Sequence, residues 1–148
     1  MANLGKVLKL EAAPKGARLI VCGGRTYGCL LNSYPNKETR QQDEKRVERE
    51  RSRLFEVLDT LNPKEIAEGE AFGVDSLARE WAEAREIPCA RFPALWRLDG
   101  RGAGPIRNRR MFSIFEPDGT IAFPGGVGTA DMSNVTLAGG AWLVRIRS

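Results

Sequence analysis

Apolar residues in this chain fall into short continuous runs, separated by longer stretches in which they recur every three or four positions. Arg18-Leu19-Ile20-Val21-Cys22 is a run of the kind buried on both faces of a parallel sheet, and Gly23-Gly24-Arg25 closes it. Residues 65–69, 88–93, 120–123 and 141–146 read as four further strands. Between them lie helical patterns. Asp43 is placed to cap a helix running to about Leu61, with Val47, Leu54, Phe55, Leu58 and Leu61 on one face and Asn62-Pro63 as its stop. Residues 74–86 carry Leu77, Ala78, Trp81 and Ala82 on one side, residues 106–115 form an arginine-bearing helix after a glycine-rich loop, and residues 130–138 form the last helix. Strands alternating with helices predict an α/β fold: a Rossmann-like three-layer sandwich with a mainly parallel sheet of about five strands and helices on both faces. Residues 1–16 read as an arm with a short strand at 7–10, and residues 17–148 as a single domain. The polar stretch 26–42 is long for a connection, which suggests a lid over a site or a mobile segment.

Composition narrows the chemistry. The chain has 148 residues, 42% hydrophobic and 28% charged, values of a globular domain with an ordinary core. It contains no histidine, so a Ser-His-Asp triad, a Cys-His pair and histidine-ligated zinc are all excluded. Three cysteines without metal-type spacing point to reduced thiols, no metal site and a cytoplasmic location. Lys6, Lys9, Glu11 and Lys15 interrupt any apolar leader, and no run is long enough to span a bilayer. The net charge of +4 permits anionic partners. That charge is concentrated at Arg97, Arg101, Arg107, Arg109 and Arg110, whereas residues 37–53 mix both signs like a solvated helix face.

Three predicted strand ends carry glycine turns: Gly23-Gly24-Arg25, residues 69–75, and Pro124-Gly125-Gly126-Val127-Gly128-Thr129. The carboxyl ends of parallel strands share one edge, so these turns are expected to converge on one cleft. A glycine turn leading into a helix presents backbone N–H groups at the positive end of the helix dipole, which suits phosphate. Within that cleft Arg25 pairs with an anion, or else makes a surface salt bridge. Asp75 caps the second helix or accepts ribose hydroxyls, and Glu70 faces the cleft or solvent. Arg107 and Asn108 fall in the first turn of their helix, where a cation opposes the dipole. This points to an anion nearby, to DNA or to oligomer salt bridges. Asp131 is a dipole partner in the last helix or a general base. Trp81 and Trp96 read as packing residues, with stacking on a base as the alternative for Trp96.

Gly23-Gly24-Arg25, Gly73-Val74-Asp75-Ser76-Leu77-Ala78, Ala103-Gly104-Pro105-Ile106-Arg107-Asn108 with Met111, and the run from Phe123 to Met132 occur in this order. In them the chain resembles the YspA-like branch of the SLOG superfamily, the Rossmann-like group of Smf/DNA-processing A proteins and Lonely Guy enzymes. The resemblance implies a site for a phosphorylated nucleoside or nucleotide-derived ligand of the AMP or ADP-ribose type. Gly23, Gly24, Arg25, Gly73, Asp75, Arg107, Asn108, Pro124, Gly125, Gly126, Gly128 and Thr129 would line it. A nucleotide-type ligand is expected, and no cofactor is identified. Lonely Guy enzymes cleave the N-glycosidic bond of cytokinin nucleotides with a glutamate at the position of Met132. Asp131 stands one place earlier, about 100° round a helix, and Asp131 or Glu70 would be the base if this chain hydrolyses its ligand. The same relatives suggest a homodimer. DNA-processing A proteins bind single-stranded DNA, so a nucleic-acid module using residues 97–110 is the alternative.

Overall fold

The computed structural model describes residues 4–148, and the first three residues of the arm lie outside the described residues. Five strands, β1 (Arg18–Cys22), β2 (Glu65–Glu68), β3 (Cys89–Arg91), β4 (Gly119–Ala122) and β5 (Trp142–Arg145), form one sheet in the order β3-β2-β1-β4-β5. Every pairing is parallel. The chain moves outward from β1 to β3, then returns to the other side of β1 to lay down β4 and β5. Strand order therefore reverses between β1 and β4, and a crevice opens at their carboxyl ends.

Alternation along β1 divides the core in two. Leu19 and Val21 point to one layer, with Leu54, Leu58, Leu77 and Trp81 of helices α1 (Lys37–Leu61) and α2 (Val74–Arg85). Ile20 and Cys22 point to the other, with Met111, Phe115 and Met132 of helices α4 (Ala103–Phe115) and α5 (Val127–Ala138). A four-residue helix, α3 (Trp96–Asp99), precedes α4. The three-layer α/β sandwich is thus as the sequence pattern predicts.

Several boundaries differ. Helix α1 starts at Lys37 rather than near Asp43, because Asn36 is its cap: the Asn36 side chain accepts the Thr39 N–H at 2.8 Å. Asp43 instead receives the Tyr34 hydroxyl and the Arg46 guanidinium. Arg46 also reaches the Thr26 and Cys29 carbonyls, so residues 26–36 are strapped to α1 and none of them lines the cleft, where a lid was one expectation. Helix α4 begins at Ala103, three residues early, which moves Arg107 from the first turn to the second. Helix α5 begins at Val127 and so contains Gly128 and Thr129. The arm makes one bridge, Val7 to Leu143 on the outer edge of β5, in place of a strand, and then turns through a 3-10 helix at Leu10–Ala12. No helix among the described residues is long and apolar enough to cross a membrane.

Candidate functional site

The three glycine corners meet through Gly24. Its N–H donates to the Pro124 carbonyl at 2.8 Å, and its own carbonyl accepts from Val74 N–H at 3.2 Å. One residue after β1 thus ties the end of β4 to the start of α2. Side chains are forbidden where these corners touch: a Cβ at Gly73, whose φ is +79°, would collide with the Gly24 and Arg25 backbone, and one at Gly125 with Thr129 Oγ1. Gly126 and Gly128 differ. A Cβ at either would meet nothing within 4 Å, and neither needs a positive φ. Both line the cleft, and the absence of a side chain at either leaves that part of it open.

That cleft encloses about 320 Å³ at the switch between β1 and β4, a size typical of small-ligand sites. The Gly126 cap of α5 offers no side-chain partner, so the N–H groups of the first turn lack intrahelical acceptors where residues 126–129 border the cleft. Met111 and Met132 form an apolar floor, joined by Cys22, whose thiol is pushed far up by burial and by the nearby Asp75.

Arg107 supplies the charge. Its Nη1 donates to the Gly69 carbonyl at 2.6 Å and its Nε to Asn108 Oδ1 at 2.9 Å. It forms no ion pair among the described residues, and its Nη2 is left without a protein acceptor there. Burial lowers its pKa, partly countered by Asp75 nearby. Asn108 is itself oriented: its Nδ2 donates to Asp131 Oδ2 at 2.9 Å, and Arg109 stands 3.6 Å from the same oxygen. Asp131 of α5 thus positions Asn108, which positions Arg107. Arg25 lies on the opposite rim, exposed and without an ion pair among the described residues, its guanidinium 5.7 Å from the Trp96 ring.

Two buried acids sit behind this cation. Asp75 lines the cleft and accepts the Ala71 N–H at 3.2 Å. Burial raises its pKa to about 6, against the opposing pull of that N–H and of Arg107. Glu68, at the end of β2, is fully buried and accepts the Glu70 N–H at 3.2 Å. Burial, with Asp75 adding repulsion, lifts its pKa to about 7.

Of the residues singled out in the sequence, Gly23, Gly24, Arg25, Asp75, Arg107, Asn108, Gly126, Gly128 and Thr129 border one cleft. Gly73 lies behind it as packing. Pro124 and Gly125 face a separate hollow between α5 and β5. Asp131 is outside the lining, and exposed Glu70 stands 3.7 Å from Arg91. Sequence reasoning placed Gly69 in one of the converging turns without the role of its carbonyl, which holds Arg107, and it missed Glu68. The only signal for Glu68 was an acid ending a short apolar strand.

Residues 17–98 match the family described as YspA, cpYpsA-related SLOG family. The chain belongs to this SLOG family. No curated protein and no solved structure matches it. The family match runs from β1 into α3 and holds the Gly24 and Asp75 walls of the cleft. The Arg107 and Gly126 walls follow it in sequence. Membership carries a general link to nucleotide-related ligands, and the two walls beyond the match come from this chain's own geometry.

Proposed function

We propose that this SLOG protein binds a phosphorylated nucleoside, of the AMP or ADP-ribose type, at the β1–β4 switch point, as a sensor. The observation that carries the reading is Arg107, a largely buried cation with no carboxylate paired to it, facing a helix start whose two cleft-lining glycines are bare without internal cause. A phosphate there would accept from the amides of α5 and complete Arg107, with Arg25 closing from the rim. Asp75 or Asn108 would then read the ribose. Charge-assisted contacts of roughly 1.5–3 kcal/mol each support micromolar affinity. Three free cysteines fit a cytoplasmic setting.

Binding is favoured over N-glycosidic cleavage. The position that carries the glutamate in Lonely Guy enzymes is here Met132, a buried apolar residue lining the cleft. Asp131 is engaged with Asn108, and Glu70 borders only the neighbouring lobe. The nucleic-acid reading is weakened because Arg107 turns inward and Arg110 donates to the Pro93 carbonyl.

Calorimetry with AMP and adenosine tests the proposal. Micromolar binding of AMP, at least tenfold weaker binding of adenosine, and loss of AMP binding in Arg107→Gln and Gly126→Ala are expected. The Gly126→Ala variant should keep the wild-type melting temperature. Equal affinity for both ligands, or affinity for oligonucleotides that falls steeply with salt while AMP fails to bind, would overturn it.

A further inference from the structure

Beside the cleft lies a second lobe of about 260 Å³, and the two share Arg25, Gly69, Ala71 and Arg107. Its walls are aromatic in a chain with few aromatic residues. Trp96 of α3 is 51% exposed and Phe72, in the turn before α2, is 80% exposed. Neither ring contributes to either core cluster. The indole edge lies beside Gly104, where an added Cβ would stand 3.8 Å from Cη2, an ordinary van der Waals contact. Pro93 and Ala94 complete an apolar rim, and the Arg25 guanidinium, 5.7 Å from the indole ring, marks the passage between the lobes.

Large rings left in water at the mouth of an anion site form a surface that a flat apolar group would cover. From this juxtaposition we infer that Trp96 and Phe72 form the subsite for the aromatic base of the ligand, so that recognition needs a nucleobase as well as a phosphate. The inference rests on the phosphate reading above and gives the ligand a direction: phosphate on α5, sugar past Arg107 and Asp75, base over Trp96. It also excludes simple sugar phosphates as full-affinity ligands. Arg25 belongs to both ends, pairing with phosphate from one lobe and bordering the base from the other.

Titration of the full chain with AMP and with ribose 5-phosphate separates the two claims. AMP is expected to bind roughly five- to 150-fold more tightly, the range one stacked base contributes. It should also quench tryptophan fluorescence in the wild type but not in Trp96→Ala, whereas ribose 5-phosphate leaves the emission unchanged in both. Trp96→Ala should bring AMP down to the ribose 5-phosphate affinity and leave ribose 5-phosphate itself unaffected, which also reports that the variant is folded. Phe72→Ala should do the same to a lesser degree. Equal affinities in the wild type, with binding retained, would overturn the base subsite while sparing the phosphate site. Failure of both ligands to bind would overturn the phosphate reading and the inference with it. Loss of self-association in Trp96→Ala with AMP affinity unchanged would assign the lobe to a second copy of the chain and also overturn the inference.

Discussion

Glu68 and Asp75 set an unusual balance at one end of β2. Both carboxyls titrate above the ordinary carboxylate range because burial removes water from their charged forms. In the unfolded chain Glu68 titrates near 4.5, and in the folded protein near 7, so between these values the native state holds a proton that the unfolded state has lost. Stability from this group is therefore complete below pH 4.5 and is lost as pH rises through about 7, the opposite of a salt-bridged acid. Wild-type protein should melt at a lower temperature at pH 8 than at pH 5, with Glu68 accounting for on the order of 1–3 kcal/mol. Glu68→Gln, which keeps an acceptor for the Glu70 N–H, should flatten much of that dependence; an unchanged slope would remove Glu68 as its source. At this scale the glycine motifs were legible in the sequence, but their division of labour was not. Gly73 and Gly126 look alike as letters. Only the neighbours, a crowded backbone for one and the open cleft for the other, tell the two apart.

Helices α1 and α2 are joined by a side-chain clasp at the C-terminal half of α2. Asp59 accepts Trp81 Nε1 at 2.8 Å and also receives Arg85 at 2.9 and 3.0 Å. Trp81 is nearly fully buried, so Asp59→Ala strands its N–H and should cost about 1–3 kcal/mol. That loss corresponds to a fall of roughly 2–4 °C per kcal/mol in a chain of this size. Asp59→Asn retains an acceptor and loses only a half-exposed ion pair, so thermal melting should place it within about 1 kcal/mol of wild type. Comparable losses in both variants would show that the charge, not the buried indole, is what Asp59 serves. Apolar periodicity marked the packed parts of the elements and was blind beyond them. The first turns of α1 carry only polar residues and stand clear of the core, so their start was visible only as the Asn36 cap. The start of α5 was hidden by Gly126 and Gly128, which carry no apolar side chain to mark the helix.

At the scale of the molecule, the order β3-β2-β1-β4-β5 makes one site out of three corners widely separated in sequence. The alternation of strands and helices made the parallel sheet and its shared edge legible. Strand order was not, since it depends on which crossover returns past β1, and that is decided by packing on both faces. The arrangement leaves the amides of α5, Gly24 and Arg107 around one space, which we propose a phosphate occupies. Amide chemical shifts followed by NMR while AMP is added test this most directly. The largest changes are expected at Gly126, Val127, Gly128 and Thr129, with Gly24 and the Arg107 side chain moving in step, and little change along α1. Perturbations confined to the exposed arginines at 97 and 101, or spread evenly over the surface, would contradict the account.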